Sequence, residues 1–253
     1  MRIRTRQESP PLWLLGAAAA TLGTVGAAWY SDARRRDKTS RKLRRVMVDV
    51  LLNALNAGDA FTERHSRRVA DLTDVLACAF GLDRARKARL RVASLLHDMG
   101  KIDDRFFHIL HSCGTLSAAE RNKIKQHPHE SAYILTPMER VYPGITYIVE
   151  SHHECWDGNG YPRGLKGEEI PLEARIISVA DVFDAMSQPR AYKDPRSVDR
   201  VLSEIRGGSG ERFDPGVVAQ LDRPDVLRAW TAIAEQGHET ERRVKAPASR
   251  VRH

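Results

Sequence analysis

The amino-acid sequence predicts an all-α protein with one substantial domain. No long run alternates apolar and polar residues in the manner of a half-buried strand. Apolar residues recur instead at helical spacing, beginning with positions 43, 46, 47, 50, 51, 54 and 55. A chain of 253 residues can bury a core without disulfides. Its widely spaced cysteines, Cys78, Cys113 and Cys155, indicate a reducing compartment.

The N-terminal part of the chain predicts a membrane anchor. Residues 11–30 contain no charged side chain and carry Trp13 near one end and Trp29 near the other. This is the minimum usual length of a transmembrane helix, with aromatic residues at both interfaces. A cleaved signal peptide is the alternative. We expect a single-pass anchor in the cell inner membrane.

The charge distribution predicts where the rest of the chain lies and what it does not bind. The formal net charge of +8 comes from a short basic segment, residues 1–10, and from a basic linker, residues 31–45. The heavier cluster follows the anchor, so the positive-inside rule places the remaining residues in the cytoplasm. Residues 46–253 carry no net charge, which argues against a nucleic acid polymer as partner.

The following helices are predicted from periodicity and from glycines that end them. A helix over 43–57 ends at Gly58, and a second begins near Thr62 and runs to Gly81. His65 shares the inward stripe of this second helix, and a third helix runs from Arg84 to about residue 97. Further helices are expected at 117–126, 128–136, 143–153, 173–187, 197–206 and 215–221, joined by loops at 101–116 and 154–172. From about residue 236 the tail has few apolar residues, and we expect disorder there.

Histidines and aspartates gather at the ends or inward faces of five of these helices. A lone inward histidine is usually a core residue, but an ensemble of this size favours a metal centre. Imidazoles with carboxylates suit Fe, Mn or Zn better than Mg or Ca. The scattered cysteines and a ligand set larger than four argue against structural zinc. The set is His65, His97, Asp98, His127, His152, His153 and Asp181.

Two motifs resemble those of the HD-GYP phosphodiesterases, a family of the HD superfamily. The first is His97-Asp98-Met99-Gly100-Lys101, and the second is His152-His153-Glu154-Cys155-Trp156-Asp157-Gly158-Asn159-Gly160-Tyr161-Pro162. The resemblance implies an HD-superfamily helical bundle with a metal centre over residues 46–222, preceded by the transmembrane helix. Residues 223–253 would form a C-terminal extension.

The resemblance also implies roles for individual residues. The seven histidines and aspartates named above would bind the metals, with Asp98 bridging two ions in a clamp suited to phosphoester hydrolysis. Asp98 and Lys101 would be catalytic, and Asp184 would support the ligands from one turn beyond Asp181. Glu154 and Asp157 are further candidates to accept histidine N–H groups. Substrate would be contacted by Lys101, Tyr161, Arg190 and Lys193.

Departures from the family pattern modify these expectations. Trinuclear members carry a carboxylate four residues before the first histidine, where this chain has Phe61, so we expect two divalent ions, Fe or Mn. The loop at 102–116 lacks the usual proline and glycine residues, and its His108 and His111 are not expected to be ligands. Ser131 replaces a glycine of the family pattern. The segment 190–193, Arg-Ala-Tyr-Lys, also differs from that pattern.

The expected function is metal-dependent hydrolysis of cyclic di-GMP to pGpG, with further cleavage to GMP left open. The alternatives are an HD-type phosphohydrolase that acts on another nucleotide and a receptor that binds nucleotide without hydrolysis. Dimerisation through the helix at 43–57 or through the transmembrane helix is a further expectation.

Overall fold

The computed structural model describes residues 12–102, 109, 117–189 and 194–245, with side chains omitted for 12–30, 33, 36, 37 and 242–245. Within these ranges the secondary structure consists of α-helices and short 3₁₀ turns, without a β-strand. The prediction of an all-α fold is therefore confirmed.

Ten α-helices follow one another along the described residues. They are α1 (Leu12–Gly58), α2 (Ala60–Ala79), α3 (Arg84–Leu96), α4 (Ala118–Ile124), α5 (His127–Ile134), α6 (Ile145–Glu150), α7 (Leu172–Ser187), α8 (Val198–Gly207), α9 (Pro215–Gln220) and α10 (Pro224–Lys245). Short 3₁₀ turns lie at Met99–Ile102, Thr136–Arg140 and Gly167–Glu169. The predicted helices thus exist, with ends displaced by up to a few residues.

Helix α1 is continuous where the sequence suggested three segments. The anchor at 11–30, the linker at 31–45 and the helix at 43–57 were predicted separately, yet one helix covers Leu12–Gly58. The chain divides into two compact units, residues 1–50 and 51–253. Among the residues described with side chains, none of the helices combines the length and hydrophobicity that a membrane crossing requires. The side chains of 12–30 lie outside that description, so the anchor stays a prediction.

Local capping sets the start of the two helices that follow. Asp59 accepts a hydrogen bond from the backbone N–H of Phe61 and so caps α2. Asp83 accepts from the backbone N–H groups of Ala85 and Arg86 and caps α3. Each cap fixes the first turn of its helix, and the two helices pack against each other.

Helix α2 lies at the centre of the second unit. It packs against α3, α7 and α10. Its side of the core is made by fully buried Val69, Leu72 and Leu76. Helix α7 is buried along most of its length, with Ile176 and Phe183 inaccessible to water. These packed helices therefore form a rigid support for side chains at their inner ends.

The C-terminal helix α10 continues the core instead of forming a disordered tail. Trp230 is completely buried, its ring lies 4.7 Å from that of Phe183, and its indole N–H donates to the carbonyl of Leu72 at 3.2 Å. Val226 and Ala234 complete a buried stripe at a spacing of four residues. We expected disorder from about residue 236, but the helix extends to Lys245. Residues 246–253 lie outside the described ranges.

Candidate metal centre

Five helices deliver the predicted ligands to one place. The centre combines His65 from α2, the pair after α3, the first residue of α5, the pair after α6 and Asp181 from α7. The pairs after α3 and α6 each follow an apolar run that packs into the core. His97 and His152 are completely buried, and His127 is 1% exposed. The helical framework thus gathers all seven predicted ligand residues.

The first group of ligand atoms surrounds His65. Its Nε2 lies 3.1 Å from Asp181 Oδ1 and 3.8 Å from Asp98 Oδ2. His97 Nε2 lies 3.5 Å from the same oxygen of Asp98 and 4.0 Å from Asp181 Oδ1. Two imidazoles and two carboxylates therefore face a common point.

The second group contains three histidines and shares Asp98 with the first. His127, His152 and His153 offer ligand atoms that lie within 4.8 Å of one another, as do those of His65, His97 and Asp98. The Nε2 atoms of His127 and His152 are 3.4 Å apart. Asp98 Oδ1 lies 3.2 Å from His127 Nε2, while Oδ2 faces the first group. One carboxylate thus stands between two sets of ligands.

The geometry of these atoms fits metal ions. Ligands about 2.1 Å from an ion and at right angles to each other lie about 3 Å apart, close to the separations found here. His97 Nε2 and Asp98 Oδ1 are buried and make no hydrogen bond. Leaving two such atoms unsatisfied is costly unless something else binds them. Divalent ions held by these two groups would satisfy both atoms.

Hydrogen bonds at the opposite ring nitrogen orient four of the histidines. Nδ1 of His97, His127 and His152 contacts the backbone carbonyl three residues earlier, at 2.8, 2.7 and 2.5 Å respectively. Nδ1 of His65 contacts Asp184 Oδ2 at 2.7 Å. A proton held at Nδ1 leaves Nε2 with a lone pair for a metal.

Asp184 is in turn held by an arginine. Arg68 donates through Nε to Asp184 Oδ1 at 2.7 Å and through Nη2 to Oδ2 at 3.0 Å. This two-pronged contact fixes the carboxylate plane. Asp184 therefore lies where it can orient His65, as the resemblance implied. Arg68 was not recognised from the sequence, although a basic residue three positions after His65 on an inward stripe was a usable indication.

The protein environment keeps His152 and His153 neutral and the carboxylates of Asp98 and Asp181 ionised. Burial lowers the pKa of His153 to about 3 and lowers the pKa of His152 well below its usual value. The charges of neighbouring histidines lower both pKa values further. Burial alone would raise the pKa of Asp98, but Lys101 and the adjacent histidines hold it well below its usual value. Neutral imidazoles beside a carboxylate are ready to bind a cation.

His65 behaves differently from the other histidines. Burial by itself lowers its pKa, but hydrogen bonds and charges from Asp181 and Asp184 outweigh that effect and raise the pKa to about 9. In the metal-free protein a proton on His65 therefore balances two carboxylates. A metal ion that binds at this position takes over that role and displaces the proton.

The predicted substrate residues are only partly described. Lys101 Nζ lies 2.6 Å from Asp98 Oδ2, which places an ammonium group at the edge of the centre. The ring of Tyr161 lies 5.0 Å from that of His153, with Lys125 Nζ 5.3 Å from the tyrosine ring. Lys125 was missed from the sequence, although it precedes His127 by two residues. The other two predicted residues, Arg190 and Lys193, lie outside the described residues, as do His108 and His111.

The loop that presents Tyr161 is held by the carboxylate next to the histidine pair. Glu154 accepts the backbone N–H groups of Arg163 at 2.7 Å and Leu165 at 3.0 Å. Asp157 accepts from the backbone and side chain of Asn159. Both carboxylates were candidates to accept histidine N–H groups. The hydrogen bonds of both carboxylates lie within the loop instead.

Two glycines allow backbone segments to approach each other at the centre. A Cβ at Gly160 would meet the backbone N of Cys155 at 2.2 Å. A Cβ at Gly100 would meet the carbonyl oxygen of His127 at 2.5 Å. The Gly100 N–H donates to Ser131 Oγ at 2.8 Å. The serine that departs from the family pattern thus joins the turn after Asp98 to α5.

Phe61 lies one turn before His65 on α2 and has no ligand atom to offer. The ligand atoms of the described residues form the two groups given above. The site therefore supports metal binding at two His/Asp groups.

Comparison with known proteins places these features in a family. The model of the HD domain family matches residues 49–217. The chain is 37% identical over 184 residues to a 3'3'-cGAMP-specific phosphodiesterase of Vibrio cholerae, covering 72% of this chain and 35% of the relative. It is 36% identical over 226 residues to a cyclic di-GMP phosphodiesterase response regulator of Xanthomonas campestris, covering 88% and 56% respectively. The chain thus spans between about a third and a little over half of these two relatives.

A solved structure supports the fold. A cyclic GMP-AMP specific phosphodiesterase of Vibrio cholerae superposes with a TM-score of 0.55 at 23% identity, covering 75% of this chain and 52% of that one. This likeness concerns the helical architecture alone. The family match over residues 49–217 shows that the chain belongs to the HD domain family, and residues 97–101 and 152–162 carry the HD-GYP motifs.

Proposed function

We propose that this protein is a metal-dependent phosphodiesterase of cyclic dinucleotides that cleaves cyclic di-GMP to pGpG. The observation that carries the proposal is the position of Asp98, whose two oxygens face two separate groups of metal ligands. Curated relatives that are 36–37% identical are a cyclic di-GMP phosphodiesterase response regulator and a 3'3'-cGAMP-specific phosphodiesterase. A cyclic dinucleotide is the substrate class that the names of these two relatives share.

The residues of the chain have distinct parts in this reaction. Asp98 and Asp181 would supply the negative charge that holds divalent ions, and the five histidines would be the neutral ligands. Bound ions of this kind polarise a phosphate and activate water for attack. Lys101 brings a positive charge to the edge of the same site, where it favours the charge that develops on the phosphate. Tyr161 forms a wall beside His153, where its ring can pack against the substrate.

The identity of the ions is a separate part of the proposal. We propose Fe or Mn, because histidine-rich ligand sets with carboxylates suit these metals. Metal analysis of anaerobically purified protein tests this directly. Zinc alone at two equivalents per chain would contradict it.

The second candidate substrate is 3'3'-cGAMP. It is favoured by the 37% identical relative, which is specific for that nucleotide. Purified protein loaded with Fe(II) or Mn(II) would be incubated with cyclic di-GMP and 3'3'-cGAMP in parallel, and products followed by chromatography. A ratio of kcat/KM above ten for one nucleotide would decide between them. Binding of either nucleotide without turnover, with metals demonstrably bound, would favour the receptor alternative.

A matched pair of variants tests the role of Asp98. Asp98→Asn preserves the shape of the side chain and removes the charge between the two ligand groups. We expect it to lower metal content and to reduce kcat by at least about 100-fold, since ions held by the two groups would lose a ligand that both groups share. Asp199→Asn, at an exposed position on α8, controls for loss of a carboxylate elsewhere. Full activity of Asp98→Asn would overturn the proposal.

We also propose that residues 11–30 anchor the protein in the inner membrane, with the catalytic residues in the cytoplasm and with homodimerisation through α1. The support is the uncharged stretch, its flanking basic residues and the rule that basic residues stay inside. Carbonate extraction of membranes tests the anchor, and protease protection tests the orientation. Recovery of the full-length protein in the supernatant would refute the anchor. Cross-linking of detergent-solubilised protein tests the dimer.

A further inference from the structure

A buried glutamate on the last helix is linked to the metal centre. Glu241 lies on α10, beyond residues 49–217 that match the family model. It is only 3% exposed, although α10 is rich in charged residues that face water. A carboxylate is seldom buried to this extent unless it is paired. Its partners therefore indicate what it does.

Glu241 pairs with two arginines of α2. Its Oε1 accepts from Arg64 Nε at 2.8 Å and its Oε2 accepts from Arg64 Nη2 at 3.2 Å. Its Oε1 also lies 3.7 Å from Arg68 Nη1. The two-pronged contact with Arg64 fixes the orientation of the carboxylate beside Arg68.

The second arginine continues the chain of contacts inward. Arg68 grips both oxygens of Asp184, and Asp184 accepts from Nδ1 of the ligand His65. Three buried contacts therefore connect Glu241 with a ligand histidine. Mutation of a residue that hydrogen-bonds the second ring nitrogen of a ligand histidine commonly lowers metal affinity by about 10–100-fold.

The position of α10 against these residues is closely defined. A Cβ at Gly237 would lie 2.8 Å from Arg68 Cδ and 2.4 Å from Gln188 Oε1. The side-chain amide of Gln188 donates to the carbonyl of Ala234 at 3.1 Å. The helix therefore passes directly over Arg68. This position brings Glu241, one turn further along, within 3.7 Å of the guanidinium group of Arg68.

Charge balance gives the contact its consequence. Arg64, Arg68, Asp184 and Glu241 contain two positive and two negative groups, so the cluster is neutral as a whole. Removing the charge of Glu241 leaves one excess positive charge in a poorly hydrated region beside a site for divalent cations. It also leaves Arg68 without its second acidic neighbour, so the arginine draws Asp184 more strongly away from His65. Both effects disfavour metal binding.

We propose that Glu241 is a positioning residue of the metal centre, acting through Arg68 and Asp184 on His65. The C-terminal helix is then part of the catalytic unit, since it completes the support of a metal ligand. This inference rests on the metal dependence of the proposed function and is independent of its substrate.

Manganese binding to the full-length protein tests the proposal. Protein stripped of metal with a chelator is titrated with Mn²⁺, and free Mn²⁺ is followed by its six-line electron paramagnetic resonance signal. No nucleotide is present, so a failure to hydrolyse cyclic dinucleotides would leave this test unaffected. The variants are Glu241→Gln, Asp184→Asn and the double variant. Glu235→Gln, at an exposed position of α10, is the matched control.

We expect Glu241→Gln to raise the Mn²⁺ Kd about threefold to tenfold, below the larger effect expected for Asp184→Asn, which contacts His65 directly. In the Asp184→Asn background, Glu241→Gln should add less than twofold, because the path to His65 is already broken. Glu235→Gln should bind as the unmodified protein does. An unchanged Kd for Glu241→Gln would overturn the proposal. So would an increase in Kd by Glu241→Gln that is as large in the Asp184→Asn background as in the unmodified protein.

A conservative variant separates positioning from a general contribution to folding. Glu241→Asp keeps the charge but withdraws it by one methylene, so its Kd should lie between those of the unmodified protein and Glu241→Gln. Circular dichroism of each metal-free variant shows whether it is folded. If Glu241→Gln does not fold, the Asp variant is compared in both Asp184 backgrounds. A raised Kd that depends on Asp184 supports the proposal, and an unchanged Kd refutes it.

Discussion

Replacement of Glu173 by glutamine should weaken the contact between two helices that carry metal ligands. Glu173 lies in the first turn of α7, which bears Asp181 further along. Its Oε1 accepts from Arg86 Nε at 2.9 Å and from Arg89 Nη2 at 2.7 Å, both on α3. Helix α3 leads directly to His97. Glutamine keeps an acceptor oxygen in the same place, so Glu173→Gln removes mainly the charge.

The magnitude follows from the pKa of this carboxyl group. Burial alone would raise the pKa of Glu173, but the hydrogen bonds from Arg86 and Arg89 lower it from 4.5 to about 2. A shift of this size corresponds to about 3 kcal/mol of folding free energy. The two arginine side chains are 37% and 27% exposed, so screening by water reduces the expected contribution to about 2 kcal/mol.

The sign of the pH dependence distinguishes charge from packing. Because the pKa is lower in the folded state, the stabilisation by Glu173 is complete above the unfolded pKa of 4.5 and is lost as the pH falls towards 2. Glu173→Gln should therefore lower the free energy of unfolding by about 2 kcal/mol at pH 7. By about pH 3 more than half of this difference should have disappeared.

Urea unfolding of the metal-free protein measures this difference at pH 7, 5 and 3. The metal-free form is used because acid would release bound ions and confuse the comparison. Glu168→Gln, at an exposed position shortly before α7, is the control and should match the unmodified protein at each pH. A difference between Glu173→Gln and the unmodified protein that stays the same at pH 3 and pH 7 would refute the electrostatic explanation.

Three further substitutions test the packing around the centre. Gly160→Ala should reduce kcat/KM by at least about tenfold, because the new Cβ would lie 2.2 Å from the backbone nitrogen of Cys155 and would displace the loop. Steady-state kinetics equal to those of the unmodified protein would contradict this. Ser131→Ala should lower the free energy of unfolding in urea by about 1–2 kcal/mol, since it leaves the buried N–H of Gly100 without its acceptor. An unchanged midpoint of unfolding would show that water replaces the hydroxyl. Trp230→Phe should lower the free energy of unfolding by about 2 kcal/mol in the same assay, because the hydrogen bond to the carbonyl of Leu72 is lost and the ring is smaller. A stability equal to that of the unmodified protein would show that α10 contributes little to folding.

Local patterns in the sequence were enough to single out several of the candidate ligands. His65 falls on an apolar stripe, and the apolar run before His97 directs the next pair into the core. Periodicity alone does not say which helix ends meet, however. That information came from the resemblance of two motifs, and the structure then placed one oxygen of Asp98 near each ligand group.

The ends of the chain were harder to predict for a physical reason. In α10 a sparse stripe of buried residues, Val226, Trp230 and Ala234, packs against the core, although the composition of the helix otherwise resembles a disordered tail. The burial of Glu241 depends on arginines more than 170 residues away in sequence, and no local pattern encodes such a pairing. In α1 the change from uncharged to basic residues does not interrupt the helix, since alanine, arginine and lysine all favour helical backbone.

The candidate ligand histidines differ in whether a mutation can remove the group that orients the ring. The rings of His97, His127 and His152 are each held by a backbone carbonyl, and every amino acid carries that group. No substitution at those acceptor positions can delete the acceptor. The ring of His65 is held by the side chain of Asp184, which a single nucleotide change can remove. A single substitution at Asp184 can therefore free the ring of His65, whereas the other three rings keep their acceptors whatever residues occupy those positions.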